Sequence, residues 1–300
     1  MNIKSILSTT CVCLSIVSFN ANAATITFLA SDWGANDFLT LSSPTRSIAF
    51  DSSNNLYIED ISDDNSGTIN ISKLNAATGY STSSVFASYS TTYEGVTGLD
   101  FDGLGSLYVS ERSLSGNAGV IREIDIATQT LLGDIRTFAN HRPTGVDADI
   151  FGNVFYTGRK VSNGLFGNVY QIDSAGTRSI LIDNVVGTGI ALDASGNIFI
   201  STPGRTDLAL LSNSIYMFNP SDLLNPLLIA SFDSTVGELT FDDAGNLYTI
   251  DNIDNLSIIK LSAVPIPAAV WLFGSGLIGL IGVARRKKAE RFNACVALTG

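Results

Sequence analysis

One eleven-residue pattern recurs five times in this chain, and it limits the possible folds more than any other feature. Each copy reads apolar-x-apolar-Asp-x-x-Gly-Asn-apolar-aromatic-apolar, with small departures. The copies occupy residues 48–58, 99–109, 146–156, 190–200 and 239–249, and their aspartates are separated by 51, 47, 44 and 49 residues. Self-similarity at a nearly constant period of this length is typical of repeat architectures.

Each copy predicts a tight β-hairpin. Alternating apolar residues before the aspartate give a first strand with one buried face. The aspartate can accept hydrogen bonds from the turn backbone, and the Gly or Asn that follows tolerates a positive φ. The apolar and aromatic residues then begin the second strand. We therefore expect the repeated aspartates to stabilise turns rather than to form a ring of ligands: Asp51, Asp102, Asp149, Asp193 and Asp242.

Two further strands are predicted after most hairpins. Third strands are expected at 68–74, 120–126, 168–173, 214–219 and 256–261, and fourth strands at 84–89, 134–139, 179–183 and 227–232. Four strands per 44–51 residues is the size of a β-propeller blade.

The fifth repeat has no fourth strand of its own. Residues 37–41 precede the first hairpin and are expected to supply it, so that the mature N-terminal strand closes the ring and removes the open sheet edges. The predicted fold class is therefore all-β, a single β-propeller of five four-stranded blades. Six blades are the alternative, in which residues 24–33 belong to an additional, degenerate blade.

The N-terminus predicts a secretory signal peptide. Lys4 is followed by an apolar stretch over residues 5–19 and by Asn-Ala-Asn-Ala over residues 20–23. A positive start, a short apolar region and a small-x-small site are the features of such a signal. Cleavage is expected after Ala23, and a short buried helix is the alternative.

The C-terminus predicts one transmembrane helix. Residues 268–284 carry no charge, and at 1.5 Å per residue they form a helix of roughly 25 Å, marginally long enough for the hydrocarbon core. A basic cluster follows at once and predicts that this end stays cytoplasmic with the propeller outside: Arg285, Arg286, Lys287 and Lys288. The predicted organisation is 1–23 signal peptide, 24–263 propeller, 264–288 sorting segment and 289–300 tail.

This segment resembles the PEP-CTERM sorting signal in its VPxPA form. Residues 264–268 read Val-Pro-Ile-Pro-Ala, although Ile266 replaces the name-giving Glu and the chain continues beyond the basic cluster. The resemblance implies processing by a membrane-embedded exosortase in a Gram-negative host that makes exopolysaccharide. Prolines keep the backbone before the helix extended and accessible to a protease. The expected processing residues are Val264, Pro265, Pro267 and Ala268, and a plain single-pass anchor is the alternative.

The expected location follows from both ends. The protein is predicted to be held transiently at the inner membrane with its propeller in the periplasm, and then to reach the cell surface or extracellular matrix. Signal peptidase and exosortase are the expected processing partners, with an extracellular polysaccharide or surface protein as a binding partner. Without the two ends, 11 basic and 27 acidic residues remain, a net charge of −16, which argues against nucleic acid as a partner.

The repeats resemble the NHL and gluconolactonase/regucalcin-like group of propellers. The resemblance implies a divalent cation on the propeller axis, with ligands near a Glu-Gly motif and an Arg-Pro-Asn-Gly motif. Residues 93–96 read Tyr-Glu-Gly-Val and residues 142–146 read Arg-Pro-Thr-Gly-Val, so Thr144 replaces the family's Asn. Gly158 and Arg159 stand where the family has its later Asp. Glu94 is therefore a candidate metal ligand, but a divalent cation needs several oxygen ligands.

A second candidate cation site is the acidic loop over residues 59–67. Asp60, Asp63 and Asp64 could hold Ca²⁺ outside the cell, although the loop lacks the spacing of an EF-hand and a solvated loop is the alternative. His141 is the only histidine, and no Gly-x-Ser-x-Gly elbow is present. No catalytic or cofactor-binding residue is assigned, and Ca²⁺ or another divalent cation is the only candidate cofactor.

These features favour a non-catalytic function. The expectation is an exported propeller that binds a ligand, glycan or protein, or serves as a matrix component, at the cell envelope. The alternative is a degenerate metal-dependent hydrolase or lactonase of the gluconolactonase/regucalcin-like type.

Overall fold

The computed structural model describes residues 24–61, 67–113, 118–160, 166–203, 210–251 and 256–264. The chain divides into a unit over residues 1–262 and a second unit over residues 263–300. The predicted signal peptide, the transmembrane helix at 268–284, the basic cluster and the tail lie outside the described residues. Within the ranges given above, no helix is long and apolar enough to cross a membrane.

The described residues form mainly β-strands, with a 3₁₀ turn at Ala76–Thr78. The chain begins with β1 (Ile26–Leu29) and β2 (Trp33–Thr40). Blade 1 follows, with β3 (Ile48–Phe50), β4 (Leu56–Glu59), β5 (Thr68–Leu74) and β6 (Ser83–Ser90). Blade 2 contains β7 (Gly95–Phe101), β8 (Ser106–Arg112), β9 (Gly119–Asp125) and β10 (Thr130–Phe138).

The remaining blades have the same plan. Blade 3 contains β11 (Arg142–Ala148), β12 (Val154–Lys160), β13 (Phe166–Ile172) and β14 (Arg178–Ile182). Blade 4 contains β15 (Gly189–Leu192), β16 (Ile198–Ser201), β17 (Ser214–Asn219) and β18 (Asp222–Phe232). Blade 5 contains β19 (Val236–Phe241), β20 (Leu247–Asp251) and β21 (Ser257–Ala263).

The strand order confirms a five-bladed propeller. Each sheet is an antiparallel meander whose first strand forms one edge. The five first strands, β3, β7, β11, β15 and β19, contact one another in a closed ring around a central axis. All five predicted hairpins are present, and the predicted third and fourth strands occur in place.

The N-terminal segment closes the ring as predicted. Strand β2 hydrogen-bonds to β21 and so provides the fourth strand of blade 5. The six-bladed alternative is wrong, because β1 adds instead to the outer edge of blade 4, where Ile26 pairs with Phe232 and Leu29 pairs with Ala230. A single four-residue strand cannot form a blade, but it covers the exposed edge of β18.

The hairpin turns follow the predicted chemistry. In blade 4, Asp193 Oδ1 accepts hydrogen bonds from the N–H groups of Ser195 at 2.8 Å and Asn197 at 2.9 Å. The following Gly196 has a φ of +78°, a conformation that glycine adopts at little cost. In blade 1, Asn54 takes the corresponding position with a φ of +58°. Equivalent carboxylate-to-backbone bonds occur in the other turns, so the repeated aspartates are structural.

The hydrophobic core lies between the blades. Five clusters of buried residues occur, one at each interface between neighbouring blades. Tyr57 of blade 1, for example, packs edge-to-face against Phe101 of blade 2, with ring centroids 4.7 Å apart. Aromatic residues bury a large area and add favourable edge-to-face contacts. The repeated aromatic of each hairpin therefore fixes the angle at which the next blade packs.

Glycines let the inner strands approach one another at the axis. Gly98, Gly145 and Gly189 occupy equivalent positions on β7, β11 and β15. A Cβ on Gly189 would lie 2.7 Å from backbone atoms of β19, including the Glu238 Cα. Glu238 occupies the corresponding position on β19, so the one large side chain among these four positions belongs to blade 5.

Candidate ligand-binding cavity on the propeller axis

A cavity of ≈ 390 Å³ opens where the inner strands begin. Its wall comes from all five blades, because the starts of the first strands and the ends of the second strands meet there. The lining residues are Arg46, Thr97, Arg112, Thr144, Arg159, Thr188, Thr235, Gly237 and Glu238. Ligand sites are typically concave and contain a few convergent polar groups, so this cavity is the candidate functional site.

The threonines of the wall connect each blade to the next. The Thr144 hydroxyl donates to the Gly187 carbonyl at 2.7 Å. Thr97 and Thr188 are placed equivalently, within hydrogen-bonding distance of the carbonyls of Pro143 and Val236. Each hydroxyl has one proton, and a carbonyl of the following blade accepts it. Thr97 and Thr144 are buried, whereas Thr188 is partly exposed on the wall, so of these three oxygens that of Thr188 can accept a hydrogen bond from a ligand.

The arginines give this wall a positive charge. Arg112 and Arg159 end β8 and β12 at equivalent positions, and Arg46 lies just before β3. Arg46 and Arg112 each have a partner within the protein. No carboxylate of the described chain forms an ion pair with Arg159, and its Nε is enclosed without a hydrogen-bond partner.

A second positive charge lies beside Arg159. Arg142 is its cross-strand neighbour in the β11–β12 register, and its guanidinium donates to the Ser113 carbonyl at 3.4 Å. Burial and the charge of Arg142 together lower the pKa of Arg159. Burial and the charge of Arg142 both destabilise the charged form of the Arg159 guanidinium, which has no counter-charge. A bound anion would offset both effects.

Glu238 is the only carboxyl group on the cavity wall. Its side chain is 1% exposed, and both carboxyl oxygens are enclosed without a hydrogen-bond partner. A Cβ on Gly145 would lie 3.1 Å from Glu238 Oε2, so the carboxyl group lies over the glycine of blade 3. An enclosed polar group without a partner is rare in folded proteins and needs a physical explanation.

Two more carboxyl groups lie along the same axis. Asp100 follows Gly98 by two residues on β7, and Asp147 follows Gly145 by two residues on β11. Each carboxyl group accepts a hydrogen bond at 2.9 Å from a backbone N–H of the next blade, that of Ala148 for Asp100 and that of Leu192 for Asp147. Burial raises the pKa of Asp100 to about 7 and that of Asp147 well above its ordinary value.

The same environment acts on Glu238. Burial raises its pKa well above the ordinary value, and the charges of Asp100 and Asp147 add to this rise. The nearby amides of Val146 and Ile190 oppose the rise. Burial in this acidic surrounding therefore disfavours the ionised form of the Glu238 carboxyl group.

Of the predicted site residues, Glu94, Asp60 and Val264 lie within the described residues. Glu94 lies just before β7, where Ser113 Oγ donates to its Oε2 at 3.5 Å, and it is not among the lining residues. Asp60 follows β4, while Asp63 and Asp64 lie outside the described residues. Val264 is exposed, and Ala23, Pro265, Pro267, Ala268, Arg285, Arg286, Lys287 and Lys288 also lie outside the described residues.

The cavity wall does not fit the divalent cation that the family resemblance implies. Thr144 replaces a possible amide ligand, and its hydroxyl is bonded to the Gly187 carbonyl. Arg159 stands where a carboxylate ligand is expected and would repel a cation. Among the residues that the structure describes, no group of three or more His, Cys, Asp or Glu side chains is arranged to hold a metal.

Two charged or acidic residues of the cavity wall, Arg159 as a positive group and Glu238, were not predicted as site residues. A pattern in the sequence nevertheless indicates each of them. Thr-Gly recurs at 97–98, 144–145 and 188–189, and the corresponding pair in the fifth repeat is Gly237-Glu238. Glu238 is an acidic residue at a position that is glycine in the second, third and fourth repeats. An arginine stands ten residues after the repeated aspartate in the second and third repeats, as Arg112 and Arg159.

His141 is part of a separate aromatic cluster. Its ring stacks on Tyr170 with centroids 5.3 Å apart and an interplanar angle of 18°, and its Nε2 lies 3.2 Å from the Tyr156 hydroxyl. It is not among the residues that line the cavity.

Comparisons with known proteins identify the fold. No protein-family model matches the chain, and no curated protein matches it. A gluconolactonase of Xanthomonas campestris is similar in structure, with a TM-score of 0.51 and 17% identity over 83% of this chain and 97% of that one. A protein of unknown function from Bacteroides thetaiotaomicron has a TM-score of 0.53 and 13% identity, covering 74% of this chain and 60% of that one.

Hydrazine synthase of Kuenenia stuttgartiensis is also similar, with a TM-score of 0.50 and 13% identity over 74% of this chain and 84% of that one. The resemblance to propellers of the gluconolactonase type is thus confirmed for the fold. Because a gluconolactonase and a hydrazine synthase both have this fold, the fold alone does not select an activity.

Proposed function

We propose that this protein is an exported propeller that binds a small hydroxylated ligand in its axial cavity, without metal-dependent turnover. The axial cavity carries this proposal, because all five blades contribute polar residues to one concave wall. Ligand sites are typically concave and contain a few convergent polar groups. Thr188 and Thr235 are partly exposed on this wall, and their oxygens can accept hydrogen bonds from ligand hydroxyl groups.

A cavity-filling variant tests the location of binding. Thr235 lies on the wall and is partly exposed, so Thr235→Phe should fill the cavity and abolish binding to a glycan and sugar panel. Thr130→Phe, on the exposed outer strand β10, is the matched control and should bind as the wild type does. Equal binding by both variants would place the ligand elsewhere.

A metal-dependent lactonase is the second candidate. The structural similarity to a gluconolactonase favours it, as do the motifs around Glu94 and Arg142. The test is hydrolysis of aldonolactones with added Ca²⁺, Mg²⁺ or Zn²⁺, with and without EDTA. Turnover that requires the metal and is lost in Glu94→Gln would establish this activity and overturn the non-catalytic proposal.

Export and sorting are part of the proposal and rest on the sequence of the two ends. Mass spectrometry of the protein from its host should show a start at Ala24 and an end near the proline motif at 264–268. Intact termini at Met1 and Gly300 would contradict both processing steps. A matrix role with Ca²⁺ held by Asp60, Asp63 and Asp64 predicts Ca²⁺-dependent assembly, which light scattering measures.

A further inference from the structure

We infer that the ligand of the axial cavity is a sugar that carries a carboxylate, with Arg159 binding the carboxylate and the partly exposed threonines Thr188 and Thr235 binding hydroxyl groups. This inference rests on the proposed function, because it names the chemical class of ligand for the same cavity. It differs from recognition through a divalent cation, since the protein's own cations would hold the anion directly.

The charges of the wall are the first observation. Three arginines line the cavity and one carboxyl group opposes them. Arg46 and Arg112 have partners within the protein, so the inference depends on Arg159, whose Nε has none. A guanidinium presents a planar fork of donors that matches a carboxylate in a bidentate arrangement.

The neighbourhood of Arg159 favours an anion. Arg142 is its cross-strand neighbour in the β11–β12 register, so a second positive charge lies beside Arg159, although Arg142 itself does not line the cavity. Two like charges in a partly buried site are unfavourable, and an anion bound between them and solvent lowers that repulsion. A divalent cation would increase it.

Glu238 does not oppose anion binding. Burial raises its pKa well above the ordinary value, and the charges of Asp100 and Asp147 add to this rise, so the ionised form is disfavoured. The neutral form does not repel the anion that Arg159 attracts. Because both carboxyl oxygens are enclosed, the group is not assigned a hydrogen bond to the ligand.

The remaining wall selects hydroxyl groups. Thr188 and Thr235 are partly exposed on the wall, and the Thr235 hydroxyl donates to Asn213 Oδ1 at 3.1 Å. The Thr188 hydroxyl lies 3.0 Å from the Val236 carbonyl. Both oxygens thus retain lone pairs for ligand donors. A volume of ≈ 390 Å³ lies at the small end of ligand pockets, which suits a single sugar unit.

The experiment is calorimetric titration of the purified full chain with four probes: glucuronate, gluconate, glucose and acetate. Glucuronate and glucose share a pyranose ring and differ in the carboxylate. Gluconate is an open-chain sugar acid, and acetate has the carboxylate without hydroxyl groups. We expect glucuronate to bind at least tenfold more tightly than either glucose or acetate, and gluconate reports whether a closed ring is needed.

Matched arginine variants locate the carboxylate. Arg159→Met keeps the side-chain length and removes the charge, and it should weaken glucuronate binding at least tenfold while leaving glucose binding within twofold. Arg178→Met is the control, because Arg178 is an exposed arginine on β14, the outer strand of the same blade, where it lies over Tyr170. It should bind glucuronate as the wild type does. Circular dichroism spectra that match the wild type exclude misfolding as the cause of a loss.

The failures are distinguishable. If glucose binds as tightly as glucuronate and Arg159→Met retains both, the carboxylate inference is wrong and the proposed axial binding stands. If acetate binds as tightly as glucuronate, the cavity recognises charge without a sugar and the inference is also wrong. If no hydroxylated probe binds, the proposed function fails together with the inference.

Discussion

The stability of the propeller is expected to depend on pH through Asp100. Its pKa is raised from 3.8 to about 7, chiefly by burial, while the unfolded chain titrates near the ordinary value. Below pH 4 the carboxyl group is protonated in both states and causes no difference. As the pH rises from 4 to 7, only the unfolded state releases the proton, so the folded state loses stability; above pH 7 both states are ionised and the loss is complete.

The size of the effect follows from the shift. A displacement of about 3 pKa units at about 1.4 kcal/mol per unit gives a loss of about 4 kcal/mol in the free energy of unfolding. Asp100→Asn should remove this loss, because the amide oxygen can still accept the Ala148 N–H bond and carries no proton that titrates. The variant should match the wild type near pH 4 and exceed it in stability by up to about 4 kcal/mol at pH 7.5.

Urea unfolding at pH 4, 5.5 and 7.5, followed by far-UV circular dichroism, measures this difference. Asp37→Asn is the control, because Asp37 is an exposed residue of β2, and its pH profile should follow that of the wild type. Parallel profiles for Asp100→Asn and the wild type would show that the Asp100 carboxylate is stabilised on the axis, and would refute the reasoning from burial. Because Asp147 lies on the same axis, the profile reports both groups together.

Three further predictions concern the packing of the ring. Gly189→Ala places a Cβ 2.7 Å from backbone atoms of β19 and should lower the free energy of unfolding by about 1–3 kcal/mol in urea titrations; an unchanged midpoint would mean that the inner strands can separate freely. Thr144→Val leaves the Gly187 carbonyl without its 2.7 Å donor and should lower the free energy of unfolding by about 1–3 kcal/mol. Thr82→Val is the control, because Thr82 is exposed just before β6, and it should have a near-zero effect. Deletion of residues 24–41 removes β1 and β2 and should abolish the cooperative unfolding transition, since blade 5 then lacks its outer strand; a retained sharp transition would show that the ring is stable when open.

The fold was predictable because its determinants are local and repeated. Asp193 and Gly196 specify a turn whose geometry depends only on neighbouring backbone atoms, and the same pair recurs in other repeats. The closure by residues 37–41 was predictable by counting strands. The position of β1 was not, because the edge of β18 that it covers is created only when blade 4 has folded, and no residue of 26–29 indicates that partner.

The candidate site was less predictable, for a related reason. Arg159 and Glu238 are 79 residues apart in the chain and acquire their relationship only when five inner strands meet. The resemblance to known propellers directed attention to Glu94 as a cation ligand, whereas the structure shows that this residue is outside the cavity wall. Glu238 packs against two glycines of other blades, Gly145 and Gly189, and their closeness to it cannot be read from a single sequence.

The pairing of β2 with β21 has a consequence for biogenesis. These strands are separated by about 220 residues, so β2 finds its partner only after the last blade has been synthesised. If the chain crosses a membrane as proposed, β2 would emerge long before β21. The ring would then close only once the final strand had also crossed.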